Sequence, residues 1–258
     1  MKFSIITVVF NDVKNIEKTI LSVKKQSYKN REHIIIDGNS SDGTSKVIKK
    51  YFKYVRHYRK KDKSLYQAIN RGLEKVKGDI IFLIHSGDIF SNHNILKRVN
   101  KIFKYNSDVV SGNVTYYDDK KKSIVRNWNS KINDFNIKNF FKVPHTSVFI
   151  KKNIMRKLSK YSLKYNISSD LDFMIRLSKL KKKFSYLNEN IIFMKTGGLS
   201  TSKKKIFIKI LEDFRILFKY FGIFFFIIYL KKIFFKVPGF FFLKKINEKK
   251  LNNILNFK

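Results

Sequence analysis

Two carboxylates in the first third of the chain stand at or just after the ends of apolar segments. Asp37 follows one segment, and its carboxylate could accept a hydrogen bond from a nucleotide base or a ribose. Asp88 follows another, beside Ser86 and Gly87, which are small enough to let a bulky ligand approach. A carboxylate there can hold Mg²⁺ or Mn²⁺ bridging two phosphates. This pattern favours a site for a nucleotide diphosphate and a divalent cation.

Ordinary structural roles compete with this chemistry. Asp42 is expected to cap a helix that starts near Thr44. Asp88 could in the same way cap a helix that carries Ile95 and Leu96. The role of Asp88 therefore depends on where that helix begins.

The elements that position these residues alternate between strands and helices. Continuous apolar runs predict buried strands over residues 3–10, 33–36 and 79–84, and periodic apolar residues between them predict helices. Such alternation is typical of an α/β fold with a mostly parallel central sheet flanked by helices. In these sheets the ligand lies beyond the carboxyl ends of the strands. The polar residues that follow the three strands should therefore converge on one edge.

Composition limits the kind of protein. The chain has 258 residues, 43% of them hydrophobic, and no cysteine, so we expect a folded core and exclude disulfides and thiolate metal sites. The formal net charge is +37. Codon bias explains much of this excess, because Ala68 is the only alanine while Lys, Asn, Ile, Phe and Tyr abound. A selected anionic partner, such as membrane lipid, is the competing explanation.

The character of the sequence changes at Lys203. Apolar residues then recur at three-and-four spacing, opposite Asp213 and several lysines, which predicts an amphipathic helix. The uncharged run 221–230 is shorter than the ~20 residues that a spanning helix needs. Lysines interleaved with aromatic residues suit a segment lying in the plane of an anionic membrane surface, whereas packing on protein is the alternative. We predict two units, residues 1–202 and a basic, aromatic-rich helical tail over 203–258.

Six short motifs occur in an order that one enzyme family shares. They are S-I-I-T-V-V-F-N, I-I-I-D-G-N-S-S-D-G-T, L-Y-Q-A-I-N-R-G, F-L-I-H-S-G-D, P-H-T-S-V-F and S-S-D-L-D-F-M-I-R-L. Together they resemble the family-2 glycosyltransferases, which have the GT-A fold. They are similar to the bacterial branch that assembles surface polysaccharides such as colanic acid, capsules and O-antigens. The likeness covers residues 1–200 and implies an enzyme that uses a nucleotide-sugar donor.

The resemblance implies a donor site in the first half of the chain. Asp37 matches the aspartate that contacts the base, and Phe10 lies where the end of the first strand packs against that base. Residues 62–72 match a donor-pocket segment, with Ser64 in place of a glycine and Gln67 in place of an aspartate. The implied nucleotide- and donor-binding residues are Val8, Phe10, Asp37, Asp62, Tyr66, Asn70, Ser86 and Gly87.

The resemblance also implies Mg²⁺ or Mn²⁺ as a cofactor. Asp88 matches the last carboxylate of the family's metal-binding motif. His85 stands at the first motif position, often Asp or Asn, and Gly87 at the third, which leaves Asp88 as the one firm carboxylate ligand. Lys195 could neutralise phosphate beside the segment 197–200, which resembles a flexible part of the family.

The resemblance places the catalytic base at Asp170. The family usually has a Glu-Asp pair there, and Ser169 replaces the glutamate. Asp170 also opens a predicted helix, so an interaction with the helix dipole is a competing explanation. His145 matches a segment that lines the acceptor side. We assign Arg176 to the same side, with a surface ion pair as its alternative.

These assignments imply a single in-line displacement that inverts the anomeric configuration. The partners would be a nucleotide-diphosphate sugar as donor and a glycan or lipid-linked acceptor. The first ten residues read as a buried strand and not as a signal peptide, so we expect a cytoplasmic protein, peripheral on the inner face of the cell membrane. The sequence does not determine the oligomeric state, and a homo-oligomer is compatible with it.

Other classes of protein fit less well. The chain lacks G-x-G-x-x-G after the first strand and lacks G-x-x-x-x-G-K-[ST], which disfavours a Rossmann dehydrogenase and a P-loop enzyme. A nucleotidyltransferase would need a Gly-rich basic loop where Asn11-Asp12-Val13 stands. The high charge keeps a non-enzymatic protein that binds nucleic acid or another polyanion as the serious alternative. Against it, the lysines are spread along the whole chain, so nucleic acid is not an expected partner.

Overall fold

The first half of the chain, in the computed structural model, alternates strands with helices. The structure describes residues 1–119, 123–197 and 203–236. The strands are β1 (Phe3–Val9), β2 (Arg31–Asp37), β3 (Arg56–Arg59) and β4 (Ile80–Leu83), and the helices are α1 (Ile16–Lys24), α2 (Thr44–Lys49) and α3 (Leu65–Glu74). The strands pair in the order β3-β2-β1-β4, and all three pairings are parallel.

The register of these strands sets the position of the polar residues that follow them. Val9 pairs with Asp37, and Asp37 pairs with Arg59, so the carboxyl ends of β1, β2 and β3 lie at one edge. Every residue of β1 is buried, because the sheet is covered on both faces. The predicted strands and their common edge are confirmed.

The second half extends the sheet with strands of both directions. Its elements are β5 (Ile89–Phe90), α4 (Ile95–Lys104), β6 (Val109–Asp118), β7 (Ser123–Trp128), β8 (Phe149–Lys151), α5 (Lys152–Leu158), α6 (Ser169–Lys179) and β9 (Phe184–Lys195). From β4 the order continues β8-β6-β9-β5, with β7 paired to β6. Strand β9 runs parallel to β6, whereas β8 is antiparallel to both β4 and β6. The predicted α/β class, a central sheet flanked by helices, is confirmed.

Two further helices follow, α7 (Lys203–Phe221) and α8 (Phe225–Lys236), joined by a 3₁₀ turn. Ile216 and Leu217 of α7 are fully buried in the core that also contains residues of β1, β2 and α6. The predicted helix is confirmed, but Asp213 is buried and not on its polar face. No helix within the described residues is both long and apolar enough to cross a membrane. The unit boundary after residue 202 stays a prediction, and the tail beyond 236 lies outside the described residues.

Two helix starts decide between competing roles for carboxylates. Helix α4 begins after Asn94, so the alternative that Asp88 caps it is wrong. Asp42 Oδ1 accepts hydrogen bonds from the amide and the hydroxyl of Thr44 at 3.0 and 2.6 Å. The predicted role of Asp42 at the start of α2 is confirmed.

Candidate active site

Asp37 ends β2 with a carboxylate that is fully buried. Its Oδ2 lies 3.5 Å from His57 Nε2 and accepts a hydrogen bond from the Ser45 hydroxyl, while Oδ1 accepts from the Ser40 amide at 2.8 Å. Burial alone would raise the pKa of Asp37, but these donors outweigh it and hold the pKa well below its ordinary value. An ionised carboxylate therefore fixes the loop in which the base contact is predicted.

The aromatic ring of Phe10 lies against this loop. Phe10 is 65% exposed, and a Cβ added to Gly38 would stand 3.2 Å from its ring, so the glycine permits close packing. An open ring face beside the loop could stack on a planar base. Val8 differs, because it packs in the main core. The structure gives the Val8 side chain a packing role, and its contact with the donor stays a prediction.

The predicted donor segment is tied to both halves of the molecule. Asp62 pairs with Arg71, whose Nε lies 3.2 Å from Asp62 Oδ1 and whose guanidinium also donates to the Asp37 carbonyl at 3.3 Å. The Asn70 amide donates to and accepts from the backbone of Tyr161, both at 2.8 Å. Arg71 thus joins Asp62 to the end of β2 at Asp37. Asn70 acts as a buried clamp between distant segments, and its donor contact stays a prediction.

Ser86, Gly87 and Asp88 form a tight turn after β4. Gly87 has a φ of +92°, in the left-handed region that favours glycine. Its amide donates to the Thr19 hydroxyl at 2.9 Å, and Ser86 Oγ donates to Asp12 Oδ2 at 2.7 Å. The turn therefore brings Asp12, from the end of β1, close to Asp88.

The carboxylate of Asp88 is buried and only half satisfied. Its Oδ1 accepts a hydrogen bond from the Lys195 amide at 3.0 Å, whereas its Oδ2 has no donor within the described part of the chain. Burial, with the negative charge of Asp12 adding to it, raises the pKa of Asp88 to about 8. A buried oxygen without a donor costs free energy until a ligand satisfies it.

This arrangement suits a divalent cation. Across the described residues, no three His, Cys, Asp or Glu side chains converge as a ready-made metal cage. Mg²⁺ does not require one, because one or two carboxylates suffice when water and substrate phosphates complete its shell. The Oδ2 of Asp88, which has no donor, and the neighbouring Asp12 meet that requirement. A cation at this position stays a prediction.

Lys195, at the end of β9, closes the far side of the turn. Its Nζ donates to Asn15 Oδ1 at 2.8 Å and lies 2.9 Å from Asp119 Oδ2. Its methylene groups would lie 3.5 Å from a Cβ added to Gly87. The pairing of this lysine with a phosphate stays a prediction. Of the predicted segment 197–200, only Gly197 belongs to the described residues.

Asp170 opens α6 and faces side chains from other elements. Its Oδ2 lies 3.1 Å from His145 Nδ1, and its Oδ1 lies 3.3 Å from the Tyr66 hydroxyl. The side chain is 28% exposed, so a ligand can reach it. Burial would raise the pKa of Asp170, but the positive charges of His145 and Lys209 outweigh it and lower the pKa. The carboxylate is therefore ionised at neutral pH.

Two histidines lie near the two proposed functional carboxylates, one beside Asp88 and the other beside Asp170. The rings of His85 and His145 lie 6.4 Å apart between their centroids. Burial, together with His145, lowers the pKa of His85 to about 4, so its ring is neutral at physiological pH. His85 precedes Asp88 in the turn, and His145 contacts Asp170. The predicted cation and base positions thus lie on two sides of this pair.

A cavity opens between Asp170 and the C-terminal helices. Its lining combines aromatic, apolar and charged side chains, namely Trp128, Phe140, Phe141, Val143, His145, Asp170, Leu171, Met174, Lys209 and Lys232. Lys209 belongs to α7 and Lys232 to α8. The helices predicted as a membrane-surface tail therefore also build one wall of the candidate site.

Arg176 does not line this cavity. Its Nε pairs with Asp172 Oδ2 at 2.8 Å, and its other nitrogens donate to the carbonyls of Leu158 and Lys160. It braces α6 against the end of α5, as the alternative interpretation of an ion pair expects. Its assignment to the acceptor side stays a prediction.

Several residues of the site escape sequence reasoning. Asn15 resembles an ordinary helix-start residue, and Asp119 stands in no motif. Lys209 and Lys232 are two of 56 basic residues. Asp12 differs, because its position after a predicted parallel strand places it at the expected ligand edge.

Fold and site together define an α/β protein with buried carboxylates at the ends of its parallel strands. A profile described as Glycosyl transferase family 2 matches residues 4–162, and the chain belongs to that family. The predicted class, a nucleotide-sugar-dependent glycosyltransferase of the GT-A fold, is confirmed.

Relatives and solved structures extend this likeness along the chain. An uncharacterized glycosyltransferase of Haemophilus influenzae is 28% identical over 224 residues, 84% of this chain and 87% of the relative. One of Mycobacterium tuberculosis is 26% identical over 189 residues, 67% of each. The crystal structure of S. aureus TarS 1-349 in complex with UDP-GlcNAc has a TM-score of 0.68 at 15% identity, covering 99% of this chain and 70% of that one. Mannosyltransferase PcManGT from Pyrobaculum calidifontis, in complex with GDP-Man and Mn²⁺, has a TM-score of 0.60 at 12% identity, covering 84% and 62%. These two structures support the fold.

Proposed function

We propose that this chain is an inverting glycosyltransferase that moves a sugar from a nucleotide-diphosphate sugar to an acceptor hydroxyl. The observation that carries the proposal is Asp170, an ionised and partly exposed carboxylate that contacts His145 and faces a cavity. A single displacement needs a base on the face of the sugar opposite the leaving group. Asp170 offers one that is separate from the carboxylates at the strand ends.

The donor would lie along the carboxyl edge of β1, β2 and β4. Phe10 would stack on the base above the loop that Asp37 holds, and the diphosphate would extend toward Ser86 and Gly87. Tyr66, which contacts Asp170, would border the sugar. The UDP-GlcNAc and GDP-Man complexes of proteins with this fold support such a donor.

In the transfer step, Asp170 accepts the proton of the acceptor hydroxyl while the acceptor oxygen attacks the anomeric carbon. A new carbon–oxygen bond forms, the bond to the phosphate oxygen breaks, and its electron pair leaves with the nucleoside diphosphate. His145 keeps the carboxylate oriented through its Nδ1. Attack from the face opposite the leaving group inverts the configuration. General-base catalysis of this kind contributes roughly 10²–10⁴ in rate.

Asp88, with Asp12 beside it, would hold a divalent cation. The bound ion would supply charge neutralisation at the leaving diphosphate. Lys195, which lies across the same turn, would pair with a phosphate oxygen. The Mn²⁺ in the PcManGT complex supports the choice of cation.

Calorimetry with a panel of nucleotide sugars, with and without Mn²⁺, tests the donor half of this proposal. We expect one donor to bind in preference to the others, and more tightly with Mn²⁺. NMR of the product formed with that donor then reads its anomeric configuration, which we expect to be inverted. Retention would contradict the mechanism. Binding of polynucleotide with a steep salt dependence, in the absence of donor binding, would favour the non-enzymatic alternative.

The cellular role we propose is the assembly of a bacterial surface polysaccharide on a glycan or lipid-linked acceptor, at the inner face of the cell membrane. The motif resemblance supports it. So does a PGL/p-HBAD biosynthesis glycosyltransferase of Mycobacterium bovis, which is 23% identical over 180 residues.

Exposed apolar side chains of α7, the 3₁₀ turn and α8 support docking on the membrane. This apolar face comprises Phe207, Ile208, Leu211, Phe218, Ile223, Phe224, Phe226, Ile227, Leu230 and Phe234, all between 38% and 79% exposed. Exposed apolar patches mark interaction surfaces. The net charge of +37 attracts anionic headgroups and repels a second copy of the chain. We propose that an anionic bilayer covers the apolar face, with residues 203–258 as the docking unit.

A further inference from the structure

Two lysines from the C-terminal helices share one carboxylate beside Asp170. Lys209 Nζ lies 3.2 and 3.1 Å from the two carboxylate oxygens of Asp213. Lys232 Nζ donates to Asp213 Oδ2 at 2.6 Å. Both lysines also line the cavity that contains Asp170. The wall of the cavity therefore carries two ammonium groups around a single shared partner.

Burial makes this arrangement costly. Lys232 is 6% exposed and Asp213 is 5% exposed. Removing a cation from water costs several kcal/mol unless its charge is compensated. Asp170 supplies the second negative charge that acts on both lysines. When Asp170 takes a proton from the acceptor, its negative charge is lost, while the two lysines keep Asp213 as their shared partner. An anion bound in the cavity would then compensate the second positive charge.

Helix α7 holds the lysines at a fixed position relative to the base. Glu212, next to Asp213, accepts hydrogen bonds from the three consecutive amides of residues 166–168 at 2.7, 2.9 and 2.9 Å. These amides belong to the loop that leads into α6 and Asp170. Two neighbouring carboxylates of α7 thus have different partners. Glu212 binds the loop that precedes Asp170, and Asp213 binds both lysines.

We propose that Lys209 and Lys232 form an anion-binding subsite for a phosphate group carried by the acceptor. The inference rests on the proposed function, because it takes the cavity at Asp170 as the acceptor side. Two ammonium groups suit a phosphate, which offers several oxygens and more than one negative charge. Trp128 and Phe140 in the same cavity offer apolar surface to a sugar ring or a lipid chain. The phosphate could belong to a lipid or to a soluble sugar phosphate.

Calorimetry with farnesyl monophosphate and glucose 1-phosphate on the full chain tests the subsite, with the donor's nucleoside diphosphate present at saturation to fill the donor site. We expect Lys209→Gln to weaken phosphate binding by about tenfold or more, the effect of losing a charge-assisted hydrogen bond. Lys209→Arg should restore most of the affinity. Lys219→Gln is the matched control, because it removes the same charge from the same helix at a side chain that is 58% exposed and outside the cavity.

Asp213→Asn separates anion binding from a purely structural role. The variant removes the carboxylate that competes for both lysines, so we expect phosphate to bind at least as tightly as in the wild type although thermal stability falls. Equal losses in Lys209→Gln and Lys219→Gln, unchanged affinity in both, or a loss of binding in folded Asp213→Asn would overturn the proposal. Tighter binding of farnesyl monophosphate than of glucose 1-phosphate would assign the phosphate to a lipid, and equal binding to a soluble or glycan-borne group. Failure of the wild type to bind any nucleotide sugar would count against the proposed function alone.

Discussion

The candidate site has two sides that are built in different ways. The donor edge, defined by Phe10, Asp12, Asp37 and Asp88, lies at the ends of neighbouring strands, where the parallel register and the turn after β4 bring these residues together. The acceptor wall, defined by His145, Asp170, Lys209 and Lys232, is assembled from the 3₁₀ turn His145–Ser147, the start of α6 and two C-terminal helices. Sheet topology dictates the first, whereas side-chain packing between distant segments dictates the second.

Electrostatics differ between the two sides in the same way. Asp88 lies at a turn that leaves one oxygen without a donor, and burial raises its pKa to about 8. Asp170 lies among positive groups that lower its pKa. The oxygen of Asp88 that has no donor suits a cation at the donor edge, whereas the lowered pKa of Asp170 keeps that carboxylate ionised at the acceptor wall. A site that separates these tasks can change its acceptor without changing its donor.

Asp170→Asn should have the largest effect, because it removes the proposed base from the acceptor wall and leaves the donor edge intact. We expect sugar transfer to fall by roughly 10²–10⁴. Donor affinity should stay within about twofold, since the effect belongs to the chemical step and not to ground-state binding. Initial rates measure the first quantity and calorimetry the second. Turnover near that of the wild type would remove Asp170 from the mechanism.

Asp88→Asn should break the donor edge. Because Asp88 is the proposed ligand with an open oxygen, we expect the stabilisation of donor binding by Mn²⁺ to fall by about 100-fold. Asp42→Asn is the control, because that carboxylate caps α2. An unchanged Mn²⁺ effect in Asp88→Asn would argue against a cation at this turn.

The same residue predicts a pH dependence of stability. The pKa of Asp88 is about 8 in the folded chain, above the ordinary value of about 4 in the unfolded chain. Asp88 therefore keeps its proton to a higher pH in the folded chain than in the unfolded chain. The contribution of protonated Asp88 to stability is full at low pH and is lost as the pH rises from about 4 to about 8. An asparagine side chain does not ionise, so the Asp88→Asn variant should lose less stability than the wild type between about pH 5 and about pH 8 without divalent cations. Thermal unfolding at the two pH values measures the difference, and identical slopes would contradict it.

Glu212→Ala should loosen the acceptor wall with a smaller effect on transfer. The substitution leaves three amides of the loop before Asp170 without their acceptor, so we expect the free energy of unfolding to fall by about 2–4 kcal/mol. Glu74→Ala is the control, because that carboxylate is half exposed in its pair with Lys160 and should cost less than about 1 kcal/mol. Urea denaturation gives both values. Equal losses would mean that α7 does not support the loop.

The donor edge could largely be predicted from sequence. Apolar runs define parallel strands, and any polar residue at the end of such a strand must lie at the ligand edge. Asp37 and Asp88 satisfy this rule directly. The sequence identifies Asp12 only as a polar residue after a strand. Its hydrogen bond from Ser86 cannot be read from the sequence, because the two residues lie 74 positions apart.

The acceptor wall could not be predicted to the same extent, because tertiary contacts decide it. Asp213 fits the polar face of an amphipathic helix, yet α8 brings Lys232 over it and both side chains are buried. Phe218 fits the apolar stripe, yet it is 59% exposed while Ile216 beside it is fully buried. Helical periodicity gives the angle between side chains around the helix axis. It does not reveal which face of the helix packs against the core.

The smallest effect on the fold should come from the apolar face. Phe218→Ser with Phe224→Ser removes two rings that are 59% and 65% exposed, so we expect the free energy of unfolding to change by less than about 1 kcal/mol. Binding to vesicles that contain anionic lipid should fall by about tenfold or more, because each inserted ring contributes about 1.5–3 kcal/mol when fully buried. Phe52→Ser, at 71% exposure but outside the apolar face, is the control and should leave vesicle binding unchanged. If residues 237–258 or a second copy of the chain cover this face instead, the double variant would lower thermal stability or change the oligomeric state. That result would make the apolar face a protein-covered surface, and the lipid source of an acceptor phosphate would lose its support.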